Sequence, residues 1–412
     1  MMQQFRESQY KIVDFEEIAD VYVINTCTVT NISDKKSRQM IRRAKQRNKN
    51  SIIVAVGCYA QVAKEELKKM PEIDIILGNN EKKDIVSIIN KYSIDKDEEK
   101  ISSVMEQKEF IDFESVAYSD KVRAVIKVQD GCDRFCSYCI IPYARGRVRS
   151  RTVSSIIDEI KAFVDKGIKE VVITGIHVAS YGRDFKEKTE LIDLLEEINK
   201  IDGLERIRLS SLEPTIITEE FVKRLSKLEK ICNHFHLSLQ SACNETLKRM
   251  NRHYTIEEFK NSVDLLRKNY KNVALTTDVI VGFPGETDEE FEECYRQLKE
   301  IRFYKLHVFK YSQRKGTKAA SMENQVAPNI KEERSKKLIA LSEQYEQEFN
   351  KELIGNQEKV LWEQVEGEFL KGHTTNYIIV YTMKNQAREN EITNVKFIEL
   401  KKDGIFGEVI KM

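Results

Sequence analysis

Long apolar runs, a dominant sign of charge and abundant cysteine are all missing from this 412-residue chain, and each absence removes a class of protein. No apolar stretch approaches the ~20 residues that span a bilayer. The N-terminal MMQQFRESQYKIVDFEE also has no apolar core of the kind a signal peptide needs. The chain is therefore expected in the cytoplasm, with no membrane partner. Lysine and arginine number 68 against 67 aspartates and glutamates, so any nucleic-acid surface has to be a local patch and not a global field. Cysteines number only eight. A reducing compartment disfavours structural disulfides, which leaves close cysteines as candidates for metal ligation or catalysis.

What the chain does have is alternation. Its length implies two or three domains. The runs DVYVINTC, SIIVAVGC and IDIILG, separated by helical stretches, predict a buried parallel α/β sheet over residues 1–95. Cys27 and Cys58 each end a strand, and ligands of parallel sheets gather at that edge, so the two thiols are expected on one rim. Residues 96–120 are charged and aperiodic and read as a linker. Six further strands, VRAVIKVQ, EVVITGIHV, RIRLSSLE, HFHLSLQ, ALTTDVIVGF and KLHVFKYS, alternate with helices over 121–345. Six βα units in series predict a (β/α)6 partial TIM barrel with its chemistry at the carboxyl ends of the strands. After a long charged helix, the short β-rich runs of 346–412 predict a small antiparallel β-barrel.

The segment GCDRFCSYC places Cys132, Cys136 and Cys139 at C-x3-C-x2-C spacing after the first barrel strand. A structural zinc site closes with four protein ligands, commonly two C-x2-C pairs, and no second pair exists here. Three thiolates suit a [4Fe-4S] cube that keeps one iron open for an exogenous ligand. Cys232, Cys243 and Cys294 have no ligand spacing and are expected to pack. Trp362 is likewise expected in the core of the last barrel. His177 ends a strand, and His234 and His236 share a strand face, where burial or hydrogen bonding is the ordinary outcome.

The trio resembles that of the radical S-adenosylmethionine superfamily. NTCTVT, VAVGCYAQ, HLSLQSACNETLKRMNRHYT, DVIVGFPGETDEEF and YSQRKGTKAA together resemble its methylthiotransferase branch, over nearly the whole chain. NTCTVTN and KKSRQMIRRA are similar to the tRNA members that act on N6-threonylcarbamoyladenosine. The resemblance implies addition of a methylthio group to C2 of that nucleoside, next to the anticodon. One S-adenosylmethionine would give the methyl group and another, cleaved at its C5′–S bond, the radical. It also implies a tRNA partner, a reductant such as flavodoxin or ferredoxin, a monomer, and a TRAM-like, RNA-binding character for the C-terminal barrel. Cys132, Cys136 and Cys139 would hold the catalytic cluster, and Gly175, Ser211, Glu213, Gln240, Ile280 and Gly282 would line the S-adenosylmethionine site. Family members carry a second [4Fe-4S] cluster on three further cysteines, two of which match Cys27 and Cys58. The family's first cysteine lies upstream in a GCKVN-like segment, whereas this chain opens at MMQQFRES, so an N-terminally shortened domain and an incomplete second cluster are expected.

Basic residues supply the nucleic-acid signal. The helix carrying Lys35, Lys36, Arg38, Arg42, Arg43, Lys45 and Arg47, and the cluster Lys248, Arg249 and Arg252, are ordinarily solvated faces. YARGRVRSR follows the cysteine trio directly, and Arg145, Arg147 and Arg149 are expected to hold tRNA phosphates through guanidinium forks.

Overall fold

A computed structural model describes residues 1–92, 99–112 and 122–410. These residues fall into two compact units. The first holds the described part of Met1–Val116 with Asp130–Arg149 and Ser312–Ser321, and the second holds the rest. The cysteine-trio segment therefore belongs by its contacts to the first unit, although it follows a barrel strand in sequence. Part of the expected linker, residues 96–98 and 113–120, lies outside the described residues. Within 99–112 the chain is not free: Val104 is buried, and the Ser102 N–H donates to Glu81 Oε1 at 2.8 Å.

In the first unit four parallel strands lie in chain order: β1 (Val21–Thr26), β2 (Ile52–Gly57), β3 (Ile75–Leu77) and β4 (Glu99–Lys100). The unbroken apolar run of β2 has a physical cause. Ile53 and Ala55 face one core with Ile41, Ala44 and Leu67, while Val54 and Val56 face a second with Ile75, Leu77 and Ile85. A strand covered on both faces has no polar side to show. Helix Asn31–Arg47 follows β1, its N-terminus capped by Thr30, whose hydroxyl accepts from the Ser33 N–H.

In the second unit β5 (Arg123–Asp130) is paired by β6 (Arg149–Ser150) on its outer side; both strands run on into the first unit. Strands β7 (Glu170–Gly175), β8 (Arg206–Leu209), β9 (His234–His236), β10 (Ala274–Val281) and β11 (Lys305–Lys310) continue from β5 in parallel chain order. This is the partial barrel expected from the sequence. Thr255 and Thr287 close capping boxes on the helices Ile256–Asn269 and Asp288–Ile301. Helix Val153–Val164 has Thr152 as its N-cap residue.

The C-terminal strands β12 (Gln357–Glu366), β13 (Phe369–Thr374), β14 (Ile379–Met383), β15 (Ile392–Lys401) and β16 (Gly404–Val409) close a barrel in the order β12-β13-β14-β16-β15. It is not wholly antiparallel, because β14 and β16 run parallel. A ring with an odd number of strands cannot alternate direction at every seam, so one parallel pair is required. Trp362 fills its core and donates Nε1–H to Thr393 Oγ1 at 2.8 Å.

This barrel docks on the amino ends of the partial-barrel strands through buried charge. Glu170, at the start of β7 and 1% exposed, accepts from Arg208 Nε at 2.7 Å. Arg206 and Arg123 lie within 4 Å of the same carboxylate. The arginines donate onward to carbonyls of Lys359, His373, Thr374 and Thr375. Burial pushes the Glu170 carboxyl up, but Arg208, Arg206 and Arg123 outweigh it and hold it below the usual carboxylate range. Among the described residues no helix is long and apolar enough to cross a membrane.

Candidate active site

The carboxyl edge of the first sheet brings two thiols together. Thr26 of β1 is in register with Gly57 of β2, so the next residues, Cys27 and Cys58, leave the sheet side by side. Gly57 is required there: its φ is +110°, and a Cβ would stand 2.5 Å from the Thr26 carbonyl oxygen. Cys27 is exposed and Cys58 is 7% exposed. Two donors converge on Cys58 Sγ, Arg145 Nε at 3.1 Å and Asn79 Nδ2 at 3.7 Å. Asn79 also donates to the Ala144 carbonyl at 2.7 Å. Asn79 escaped the sequence reading, yet it lies just past the end of β3, where the strand-end rule points.

The arginine run divides three ways in its contacts. Arg145 turns to sulfur; burial works against its charge, but Cys58, Asp130 and Cys27 outweigh this and hold it above its ordinary range. Arg149 is 3% exposed. It donates to the carbonyls of Arg145 and Arg147 at 2.9 and 3.3 Å and lies 3.6 Å from Asp130 Oδ2. A guanidinium enclosed in this way has no face for a phosphate. Arg147 is exposed, pairs loosely with Asp133 at 3.3 Å and lies over the Phe135 ring. Positions two apart along an extended segment face the same way only where the strand is regular, and Gly146, at φ +78°, breaks that regularity.

Cys132, Cys136 and Cys139 are half-buried cysteines on the loop that leaves β5. Gly131, at φ +72°, sets the loop's direction, and a Cβ there would strike the Arg147 carbonyl oxygen at 1.8 Å. The Cys132 N–H donates to Gly146 O at 3.0 Å, and the Cys139 N–H to Cys136 O at 2.9 Å. The Arg134 N–H points at Cys132 Sγ at 3.5 Å. Phe135, between the first two cysteines, holds a left-handed φ of +48°, a conformation a phenylalanine rarely adopts outside functional loops. Among the described residues no group of three His, Cys, Asp or Glu side chains converges on a single metal position. Three partly accessible thiols on one tightly turned loop have the donor chemistry a [4Fe-4S] cube requires.

The second unit carries the remaining candidates at its carboxyl strand ends. Gly175 ends β7, and a Cβ there would lie 3.0 Å from Gln129 O. Glu213, 4% exposed, accepts from His177 Nε2 at 2.6 Å and faces Arg252 at 3.5 Å. Gln240, at φ +70°, sits in the ladder beside β10: its N–H bonds Asp278 O, and its carbonyl accepts from Ile280 N–H. Gly282, at φ +69°, donates its N–H to Glu286 Oε1 at 2.9 Å. Ser211 is exposed. Among the described residues Ser210 Oγ is buried without a hydrogen-bond partner, and such an orphan at a strand end invites a polar ligand. His177, read only as an ordinary strand-end histidine, is thus the partner of the buried Glu213.

Elsewhere the cysteines and basic groups serve the fold. Burial pushes the thiols of Cys232 and Cys294 up to about 11 and about 12, and Cys243 is also buried, so all three pack. Arg38, Arg42, Arg43 and Lys45 face Glu66, Glu72, Glu16 and Asp74. Arg249 grips Glu290, and Arg252 donates to Ser238 O and Tyr254.

Comparison with known proteins agrees with this geometry. Residues 126–298 match the model of the radical SAM superfamily, and residues 1–78 that of the uncharacterized protein family UPF0004. Threonylcarbamoyladenosine tRNA methylthiotransferase MtaB of Bacillus subtilis (strain 168) is 43% identical over 404 residues, 96% of this chain and 89% of that protein. MtaB of Aquifex aeolicus (strain VF5) is 43% identical over 360 residues, 87% of each chain. The tRNA-2-methylthio-N(6)-dimethylallyladenosine synthase of Clostridium botulinum (strain Loch Maree / Type A3) is 36% identical over 418 residues, 98% of this chain and 92% of that protein. In fold the chain is similar to the radical S-adenosylmethionine methyltransferase TsrM from Kitasatospora setae, with a TM-score of 0.54 and 16% identity over 74% of this chain and 64% of that one.

Proposed function

The chain belongs to the radical SAM tRNA methylthiotransferase family, in its MtaB-type branch, and on that premise we propose that it adds a methylthio group to C2 of N6-threonylcarbamoyladenosine beside the tRNA anticodon. The observation that carries this reading is the 43% identity to an MtaB protein across 96% of the chain. The two cysteine sets, Cys132–Cys136–Cys139 and Cys27–Cys58, give it a chemical basis. A [4Fe-4S] cluster with S-adenosylmethionine, when bound, supplies the electron and the hydrogen abstraction that open an otherwise unreactive C2 position.

The chain's own residues bind, orient and enclose. The trio loop holds the cluster, its direction fixed by Gly131. The strand-end groups Gly175, Ser211, Glu213, Gln240, Ile280 and Gly282 receive S-adenosylmethionine: a carboxylate suits its ammonium, and close backbone approach suits its planar and carboxylate parts. The buried His177–Glu213 pair fixes the position of that carboxylate. Cys27 and Cys58 are the sulfur-handling thiols or ligands of a second cluster. Arg147 contributes a phosphate contact. By function the chain divides into 1–95 for sulfur, 121–345 for radical chemistry and 346–412 for RNA contact, acting in the cytoplasm as a monomer with a flavodoxin- or ferredoxin-like reductant.

Nucleoside mass spectrometry tests this directly. A deletion strain should lose 2-methylthio-N6-threonylcarbamoyladenosine and retain the threonylcarbamoyl precursor, and the gene in trans should restore it. Loss of the methylthio group from dimethylallyladenosine instead would transfer the activity to the branch represented by the 36%-identical Clostridium relative.

A further inference from the structure

The segment Ser312–Ser321 follows the last strand of the partial barrel yet makes its contacts within the first unit. Its anchor is Arg314, 7% exposed. Nη1 donates to Asn31 Oδ1 at 2.7 Å; Nη2 donates to Asp34 Oδ2 at 2.6 Å and to the Thr28 hydroxyl. The Asn31 N–H returns a bond to Ser312 Oγ at 3.2 Å. Thr28 follows Cys27 directly, and Asn31 and Asp34 stand in the first turn of the helix that comes next. At the other end of the segment the Ala319 N–H donates to Ser137 O at 2.7 Å, inside the cysteine trio. A Cβ on Gly316, at φ +87°, would lie 3.8 Å from Ile140. One strap is thus tied both to the turn that carries Cys27 and to the loop that carries Cys136 and Cys139.

We infer that Arg314 is a positioning residue for methylthio transfer, holding the Cys27 turn on the Ser312–Ser321 strap and, through it, in fixed register with the trio loop. The inference rests on the methylthiotransferase reading above. A planar guanidinium that reaches three acceptors specifies direction as well as distance, which an ammonium on a flexible stem does not. Reactions between groups held on separate loops are sensitive to such placement, since a displacement of about 1 Å can cost ~100-fold in rate. Asp34 gives the buried guanidinium its counter-charge, so the turn cannot release the strap without leaving both charges unpaired. A role in general stability would depress all activities together, whereas a positioning role separates them.

Arg314→Gln in the full chain, reconstituted with iron and sulfide, tests this. Formation of the methylthiolated nucleoside should fall at least about tenfold, in kcat and not in the KM for tRNA, while S-adenosylmethionine cleavage in the same sample stays within about threefold of the parent. Deuterium uptake should rise in the peptide spanning Cys27–Asp34 and not in Ile52–Gly57. Arg314→Lys, which keeps the charge without the fork, should fall between. If Arg314→Gln does not fold, Asn31→Ala, which removes one acceptor and leaves the ion pair, should give the same separation to a smaller degree. Equal loss of cleavage and transfer, undiminished transfer, or unchanged uptake over Cys27–Asp34 would each overturn the inference. A parent enzyme that makes no methylthiolated nucleoside would instead count against the proposed function, and the exchange measurement would still decide the clamp.

Discussion

At the amino ends of β5, β7 and β8, Arg123, Arg206 and Arg208 close on one carboxylate, Glu170, and on carbonyls of the C-terminal barrel. In the segment after the cysteine trio, Arg145, Arg147 and Arg149 have three unlike neighbours: a sulfur, the solvent and their own loop. The first set is an ionic joint closed on Glu170, with Arg123 also paired to Glu363. The second is distributed around reactive groups. Arginine in the first set joins two barrels, and in the second it is divided between sulfur and support. Burial and partner, not residue type, make the difference.

The largest expected effect comes from breaking the reactive cysteine loop alone. Cys132→Ala, Cys136→Ala and Cys139→Ala should each reduce 5′-deoxyadenosine formation more than about 100-fold, beyond what loss of an outer-shell group does. Thermal unfolding of the apoprotein should barely move. Retained cleavage in any reconstituted variant would remove the cluster from this loop.

Breaking the closed joint should do the reverse. Glu170→Gln leaves the buried Arg206 and Arg208 guanidinium groups without their counter-charge, while Arg123 keeps Glu363 at 2.8 Å, and a loss of about 3–5 kcal/mol in denaturant unfolding is expected. The same residue sets an acid limb. Its folded carboxyl titrates below the usual range, so its contribution is complete above the unfolded value, about 4.3. That contribution is lost as pH falls further through the folded value. The variant should therefore show a flatter stability profile below about pH 4.3, and an unaltered acid limb would show that the joint is not charged as described.

Two finer tests sharpen the contrast within YARGRVRSR. Arg149→Gln removes donors from the Arg145 and Arg147 carbonyls and should cost about 1–3 kcal/mol with no change in the salt dependence of tRNA binding. Arg147→Gln should leave stability within about 0.5 kcal/mol and lower the salt slope of binding by about 1. If both variants change the slope, the division of the run drawn from burial is wrong.

The sequence by itself carried the alternation of strands and helices, because both patterns are local. A doubly buried strand such as β2 must be apolar throughout, and Thr255 and Thr287 announce their helices three residues ahead of Glu258 and Glu290. It also carried the trio, since C-x3-C-x2-C is a spacing along one loop, and the shared rim of Cys27 and Cys58, since parallel strands in chain order end at one edge. Tertiary structure alone decided the neighbours that come from far along the chain. The donors to Cys58 arrive from Asn79 and Arg145, the clamp on the Cys27 turn from Arg314, and the partners of Glu170 from three different strands. An arginine in a sequence is a charge on a long, flexible stem. Whether it meets sulfur, phosphate, carboxylate or its own backbone depends on desolvation and on what the fold places within about 3 Å of its fork, and neither quantity has a signature in local pattern.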